Sequence, residues 1–202
     1  MSADNAPSLK PGAGGHRLRE LVVNCADANF RNAGYSKTSV SNIAKEIGVS
    51  KAYVYKFFKS KQAIADIICA RDYTAMLDFA TEEQKAKATA TARFRRFIRS
   101  LSEQNQTRRL TAGYDLLALS ARNTWPSYES YDAQIGLFLR SVIVEGRAAG
   151  EFERSVPLTD VVRGINLAFG SFYNPSLVQL NADDDVFEAV EVSNLVLRSL
   201  AP

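Results

Sequence analysis

The sequence predicts an all-α chain in two parts, a small N-terminal three-helix unit followed by a larger helical one. Three observations carry this. Apolar residues recur three and four apart through most of the chain, the period of amphipathic helices, and no strand-like alternation interrupts them. Gly34, Gly48, Trp125-Pro126, Gly150 and Pro157 punctuate those segments where helices end or begin. Charge is uneven: residues 1–61 carry ten Lys or Arg against four acids, and the remainder carries 15 against 18. A basic third on an otherwise mildly acidic chain points one end towards phosphate. The expected division is an arm at 1–15, a small domain at 16–61 and a large helical domain at 62–202.

The bulk composition restricts the class. Of 202 residues, 46% are hydrophobic and 23% charged, ordinary for a soluble globular protein. No apolar run approaches the roughly 20 residues of a membrane helix, and the first residues lack a secretory apolar core, so a cytoplasmic location is expected. Cys25 and Cys69 fall on apolar helix faces and read as buried, reduced thiols, with a disulfide or redox sensor as the alternative.

The opening residues are polar, with Pro7 and Pro11, and read as a disordered arm. Lys10 is the one basic residue before Arg17, which gives a minor-groove role little charge to work with. His16, the sole histidine, has no partner for metal or acid–base chemistry. A helix over Arg17–Asn32 follows, with Leu18, Leu21, Val22, Cys25, Ala26 and Phe30 inward, and Asn32-Ala33-Gly34 ends it. Tyr35 is expected to pack back on this unit.

From Thr38 to Lys61 the chain reads TSVSNIAKEIGVSKAYVYKFFKSK. Val40, Ile43, Ala44 and Ile47 give one short helix a buried face, Thr38 can cap it, and Gly48 closes it. Val49 drops inward and Ser50 caps a second helix that buries Val54 and Phe58. Lys51, Ala52, Tyr53 and Lys56 are left pointing elsewhere. Helix, glycine turn, helix with an uncommitted polar and aromatic face is the helix-turn-helix pattern, whose second helix enters the DNA major groove.

Thr38, Ile43-Ala44, Gly48-Val49-Ser50, Tyr55, Phe58 and Ser60-Lys61 resemble the N-terminal signature of the TetR/AcrR family of bacterial transcriptional regulators. The resemblance covers about a quarter of the chain. It implies a DNA-binding face comprising Thr38, Ser50, Lys51, Ala52, Tyr53, Tyr55, Lys56 and Lys61. Tyr55 and Lys61 fall where the family contacts phosphate, and the Thr38 hydroxyl could cap, meet a phosphate, or both. Lys51, Ala52 and Tyr53 stand at the helix end that approaches base edges. Ala52-Tyr53 replaces the Gly-Thr often found there, so the operator is this chain's own.

Ser60 caps a long helix, Lys61–Thr81, with Ile64, Ile67, Ile68, Arg71, Ala75, Met76 and Phe79 in one stripe and a length suited to a lever. Residues 82–91 read as a loop or frayed start. Helices are then expected at Ala92–Asn105, Arg108–Asn123, Ser127–Ala149, Leu158–Asn174 and Asp185–Leu200. Leu110, Tyr114, Leu117 and Ala121 align in the second of these; Tyr131, Ile135, Phe138, Val142, Gly146 and Ala149 align in the third. Arg93, Arg95, Arg96 and Arg99 read as a wet face. The last two helices are apolar nearly all round, which asks for burial on several sides and predicts a homodimer through a four-helix bundle. Asp183-Asp184-Asp185 suits a helix N-terminus.

The resemblance further implies a small-molecule cavity among the middle helices. Its candidate walls are Tyr114, Arg122, Trp125, Tyr128, Gln134, Phe138, Asn166, Phe169 and Tyr173, apolar surfaces with a few polar groups. The expected function is a ligand-responsive repressor that binds a pseudo-palindromic double-stranded DNA operator as a homodimer, with no cofactor and no membrane. A helix-turn-helix protein governed by a protein partner is the alternative, and a dry, fully packed C-terminal core would favour it. An enzyme is the remote third: CxxC, HExxH, P-loop and GxGxxG motifs are all missing from the sequence.

Overall fold

The computed structural model describes residues 13–82, 88–177 and 185–202. Among them lie α1 (Ala13–Ala33), α2 (Val40–Glu46), α3 (Lys51–Tyr55), α4 (Lys61–Glu82), α5 (Ala90–Arg109), α6 (Tyr114–Arg122), α7 (Pro126–Ala149), α8 (Leu158–Tyr173) and α9 (Asp185–Ser199). The chain forms two compact units, Met1–Ile68 and Cys69–Pro202, and the boundary falls inside α4. Most of the expected arm, residues 1–12, lies outside the described residues, whereas Ala13 to Gly15 already belong to α1. Asp183 and Asp184 also lie outside them.

In the first unit the buried side of α1 is set by Val22, Val23, Ala26 and Phe30. Leu21, expected inward, is exposed, and Leu18 and Cys25 are half-buried. The reason is rotational: Leu21 sits one residue before the stripe through Val22, Ala26 and Phe30, and Val23 sits on the side that faces the core. Val40, Ile43 and Ala44 of α2 and Val54 of α3 complete this core with Phe58. Ser39, not Thr38, caps α2: its hydroxyl accepts from Asn42 N at 3.1 Å. Thr38 is only 4% exposed and donates its hydroxyl to Gly34 O at 3.0 Å, with Asn29 O at 3.3 Å. Gly48 takes φ 73°, and Val49 N returns to Ala44 O at 2.9 Å, which turns the chain sharply into α3.

In the second unit α5 packs along α9, α7 and α8. Phe94, Phe97, Ile98 and Leu101 of α5 are buried with Ile135, Leu139, Val142 and Ile143 of α7 and with Ile165 and Phe169 of α8. The α4 stripe is rotated from expectation: Cys69, Tyr73, Met76 and Leu77 are buried, while Arg71 and Ala75 face out. The helix expected at 108–123 is divided. α5 continues to Arg109, Gly113 adopts φ 98°, and Leu110, expected inward, is 84% exposed at the break. Pro126 stands in the first turn of α7, where its missing N–H costs nothing. Ala149, placed in the α7 stripe, is exposed, and Leu139 and Ile143 fill that side.

Glu151 supplies a long-range cap that no local pattern announces. Its carboxylate accepts from Ala90 N and Thr91 N, both at 3.0 Å, at the start of α5. Burial pushes this carboxyl up, but the two backbone donors outweigh it and leave the pKa below the usual Glu value. A depressed folded-state pKa stabilises fully above the unfolded value near about 4.3, and that contribution drains away as pH falls through the folded pKa. Glu151→Gln is therefore expected to lower the melting temperature at neutral pH, and the gap to the parent chain should close below about pH 4. Thermal denaturation followed by circular dichroism from pH 3 to 7 checks this; a pH-independent gap would exclude a charged cap.

Candidate nucleic-acid interface and effector groove

Between residues 40 and 61 there are five lysines and one acid. Ser50 Oγ accepts from Tyr53 N at 3.1 Å, which fixes the start of α3 and leaves the hydroxyl proton free to donate. Lys51, Ala52, Tyr53, Tyr55 and Lys56 are all exposed. The ammonium of Lys56 lies 5.3 Å from the Tyr53 ring centre, and that of Lys51 lies 5.9 Å from the Tyr55 ring. Tyr53 also meets Phe57 edge-on at 5.5 Å. Each tyrosine thus has a lysine ammonium beside its ring, Tyr53 has an edge contact as well, and both remain exposed.

Lys61 is placed differently from the other lysines. Its ammonium donates to Tyr35 O at 2.9 Å and Thr38 O at 3.1 Å and sits 4.1 Å from the Tyr35 ring centre. Tyr35 in turn packs edge-on against Phe30 at 5.2 Å. Lys61 ties the start of α4 to the loop before α2, with one N–H left over. Cys25 is a free thiol held up to about 11 by burial and by the Glu46 carboxylate, so it offers no thiolate chemistry near neutral pH. Among the described residues no group of three His, Cys, Asp or Glu is arranged to hold a metal ion.

The second unit carries a groove of about 350 Å³ between α7 and α8. Of the nine residues expected to wall a cavity it gathers three, Tyr128, Asn166 and Tyr173. The Tyr173 hydroxyl donates to Asn166 Oδ1 at 3.1 Å. The other six stand elsewhere. Tyr114 is buried and donates to Asn105 Oδ1 at 3.2 Å; Trp125 is buried at the start of α7; Phe169 is buried edge-on to Phe94 at 5.7 Å. Phe138 stacks on Phe97 at 3.8 Å, Gln134 turns to Ser130 on its own helix, and Arg122 is exposed at the end of α6. Sequence reasoning missed Asp132, which joins the groove one helical turn after Tyr128. The i,i+4 spacing of those two residues was the available signal.

Arg93 lies over the Phe138 ring and pairs with Glu145, and Arg99 pairs with Glu103 at 2.8 Å. At those two positions the arginine-rich side of α5 is neutralised by its neighbours.

A capped, outward-facing helix behind a left-handed glycine, on a basic three-helix unit, defines the molecule as a helix-turn-helix regulator of the DNA-binding class. Residues 24–67 match the model of bacterial regulatory proteins, tetR family. Over those residues the chain is similar to the tetR family of bacterial regulatory proteins. No curated protein matches it in sequence. Among solved structures it resembles a TetR/AcrR-family regulator of Thermobifida fusca, 21% identical, with TM-score 0.66 over 90% of this chain and 97% of that one. It also resembles a TetR transcription regulator of Haloarcula marismortui, 18% identical, with TM-score 0.67 over 93% of this chain and 100% of the other. The regulator FadR of Bacillus subtilis, solved in complex with stearoyl-CoA, is 18% identical, with TM-score 0.64 over 90% and 98%. At such identities the likeness speaks for the fold. No described helix is long and apolar enough to cross a membrane.

Proposed function

We propose that this chain is a ligand-responsive repressor that binds a pseudo-palindromic operator as a homodimer. The observation that carries the reading is the exposed face of α3, where Lys51, Tyr53, Tyr55 and Lys56 project from a helix whose other side is locked by Val54. Two copies of that helix, about 34–36 Å apart or somewhat more, would read successive major grooves. Lys51, Ala52 and Tyr53 approach base edges; Ser50, Tyr55 and the spare N–H of Lys61 reach phosphate. Thr38, its hydroxyl proton committed to carbonyls, positions the loop beneath them. Two copies would meet through α8 and α9, which pack on each other and leave Leu167, Phe187 and Leu195 80%, 64% and 63% exposed. The open α7–α8 groove supports a small-molecule sensor over a partner-driven switch. Ligand in the groove would act on DNA affinity through α4, whose residues belong to both units. A coupling of about 1–3 kcal/mol would release the operator 5–150-fold.

Titration of labelled duplexes tests the DNA face. Lys56→Ala should weaken specific and random DNA alike and flatten the salt dependence of log K by about one, as expected for the loss of one phosphate contact. Tyr53→Ala should change which operator is preferred. An unaltered salt slope and unaltered preference would remove α3 from the interface.

A further inference from the structure

The α7–α8 groove contains a carboxylate without a counter-charge. Among the described residues neither a hydrogen bond nor an ion pair reaches Asp132. The one guanidinium on the groove wall, Arg163, is engaged at 3.3 Å with Asp160 on its own helix. The Tyr173 hydroxyl is directed to Asn166, not to Asp132. Tyr128 is braced from behind, its ring 6.1 Å from that of Tyr73 and 6.3 Å from that of Tyr131. The result is a carboxylate with no cationic partner among the described residues, in a groove that it shares with Tyr128 and Tyr173 and that lies at the small end of the usual range for ligand sites.

We propose that this groove takes an organic cation, an ammonium compound whose charge meets Asp132 and whose apolar body lies against Tyr128 and Tyr173. The inference rests on the sensor reading above and names the chemical class for its groove. The Asp132 carboxylate is exposed in the groove and only partly desolvated, and a bound cation gives it a partner that no described residue provides. Tyrosine faces add cation–π attraction, which an anion or a neutral alcohol cannot gain. The electrostatics agree with the geometry. Asp132 keeps solvent contact, yet burial raises its pKa; burial and the Asp132 charge together push Tyr128 up to about 12 and raise Tyr173 as well. The carboxylate therefore acts on both rings.

Calorimetric titration of the full chain with benzyltrimethylammonium, benzyl alcohol and phenylacetate, at matched ionic strength, tests the class. The cation is expected to bind at least about tenfold more tightly than either of the others. Asp132→Asn should erase that preference, with its melting curve confirming the fold; the three-probe series on the unaltered chain needs no variant. Equal affinity for the three, a preference for phenylacetate through Arg163, or a preference that survives Asp132→Asn would overturn the proposal. Operator binding measured alongside separates this inference from the sensor reading. Asp132-dependent binding of the cation without operator release upholds the ligand class and counts against the sensor. Operator release by a metabolite fraction, with no binding of the cation, does the reverse.

Discussion

Leu167→Glu combined with Leu195→Glu is expected to run as a monomer and to bind a two-half-site operator about 10²–10⁴-fold more weakly, the loss that follows when linked binding events become independent. Both side chains are largely exposed, so neither substitution opens a cavity in the subunit, and helix content should be unchanged. In a two-fold interface every residue is used twice. In the proposed dimer the two substitutions would therefore remove four buried side chains, each contributing about 1.5–3 kcal/mol when fully buried, and introduce four carboxylates at the seam. Glu191 lies one turn before Leu195, so the carboxylate introduced by the second substitution would also repel its own helix neighbour. Sedimentation velocity reads the assembly, and a single half-site duplex reads intrinsic DNA affinity, which should hold. Leu195→Glu alone leaves the α7–α8 groove untouched and should weaken the dimer in the same direction. A double variant that stays dimeric would move the interface elsewhere.

The first unit was legible because its information is local. Val40, Ile43 and Ala44 at helical spacing, a glycine turn, the Ser50 cap and the Val54–Phe58 pair all lie within twenty residues, and the structure builds each as expected. What failed there was fine rotation. One residue decides whether Leu21 or Val23 faces in, and both are equally apolar. The same ambiguity turned the α4 stripe towards Tyr73 and Leu77 in place of Arg71 and Ala75. The α5–α6 break was hidden by a periodic run that a single left-handed glycine, Gly113, interrupts.

The groove was less legible, because aromatic residues serve core and wall alike. Tyr114, Trp125 and Phe169 are as aromatic as Tyr128 and Tyr173, and only the course of distant helices decides which remain open. Tyr114 is covered because Asn105 and the Phe172–Pro175 segment close over it. Asp132 escaped notice for a related reason: an acid on a long helix is usually solvated, and its place in the groove emerges only when α8 comes alongside. Glu151, sixty residues from the helix it caps, belongs with these non-local features.

Gly146→Ala is expected to destabilise the second unit by about 1–3 kcal/mol, the usual range for forcing a methyl into a packed core. A Cβ at this position would stand 2.1 Å from Phe152 Cδ2 and 2.3 Å from Cε2, inside van der Waals contact with a ring that is itself buried. The ring has little room to retreat. Gly150 in the left-handed region and the bond from Glu151 N to Gly146 O at 2.8 Å fold the chain back so that Phe152 lands on its own helix. Alanine's better helix propensity, about 1 kcal/mol over glycine, offsets only part of the overlap. The melting temperature should fall by roughly 2–4 °C per kcal/mol for a chain of this size. Because Phe152 leads directly into Glu153 and follows Glu151, displacing the ring also disturbs the cap on α5, and the loss should be larger at neutral pH than in acid. Phe152→Leu introduced with Gly146→Ala should recover much of the deficit, since the two residues share one volume and their effects cannot add. Strict additivity in that double-mutant cycle would mean that the glycine is there for some reason other than the ring above it.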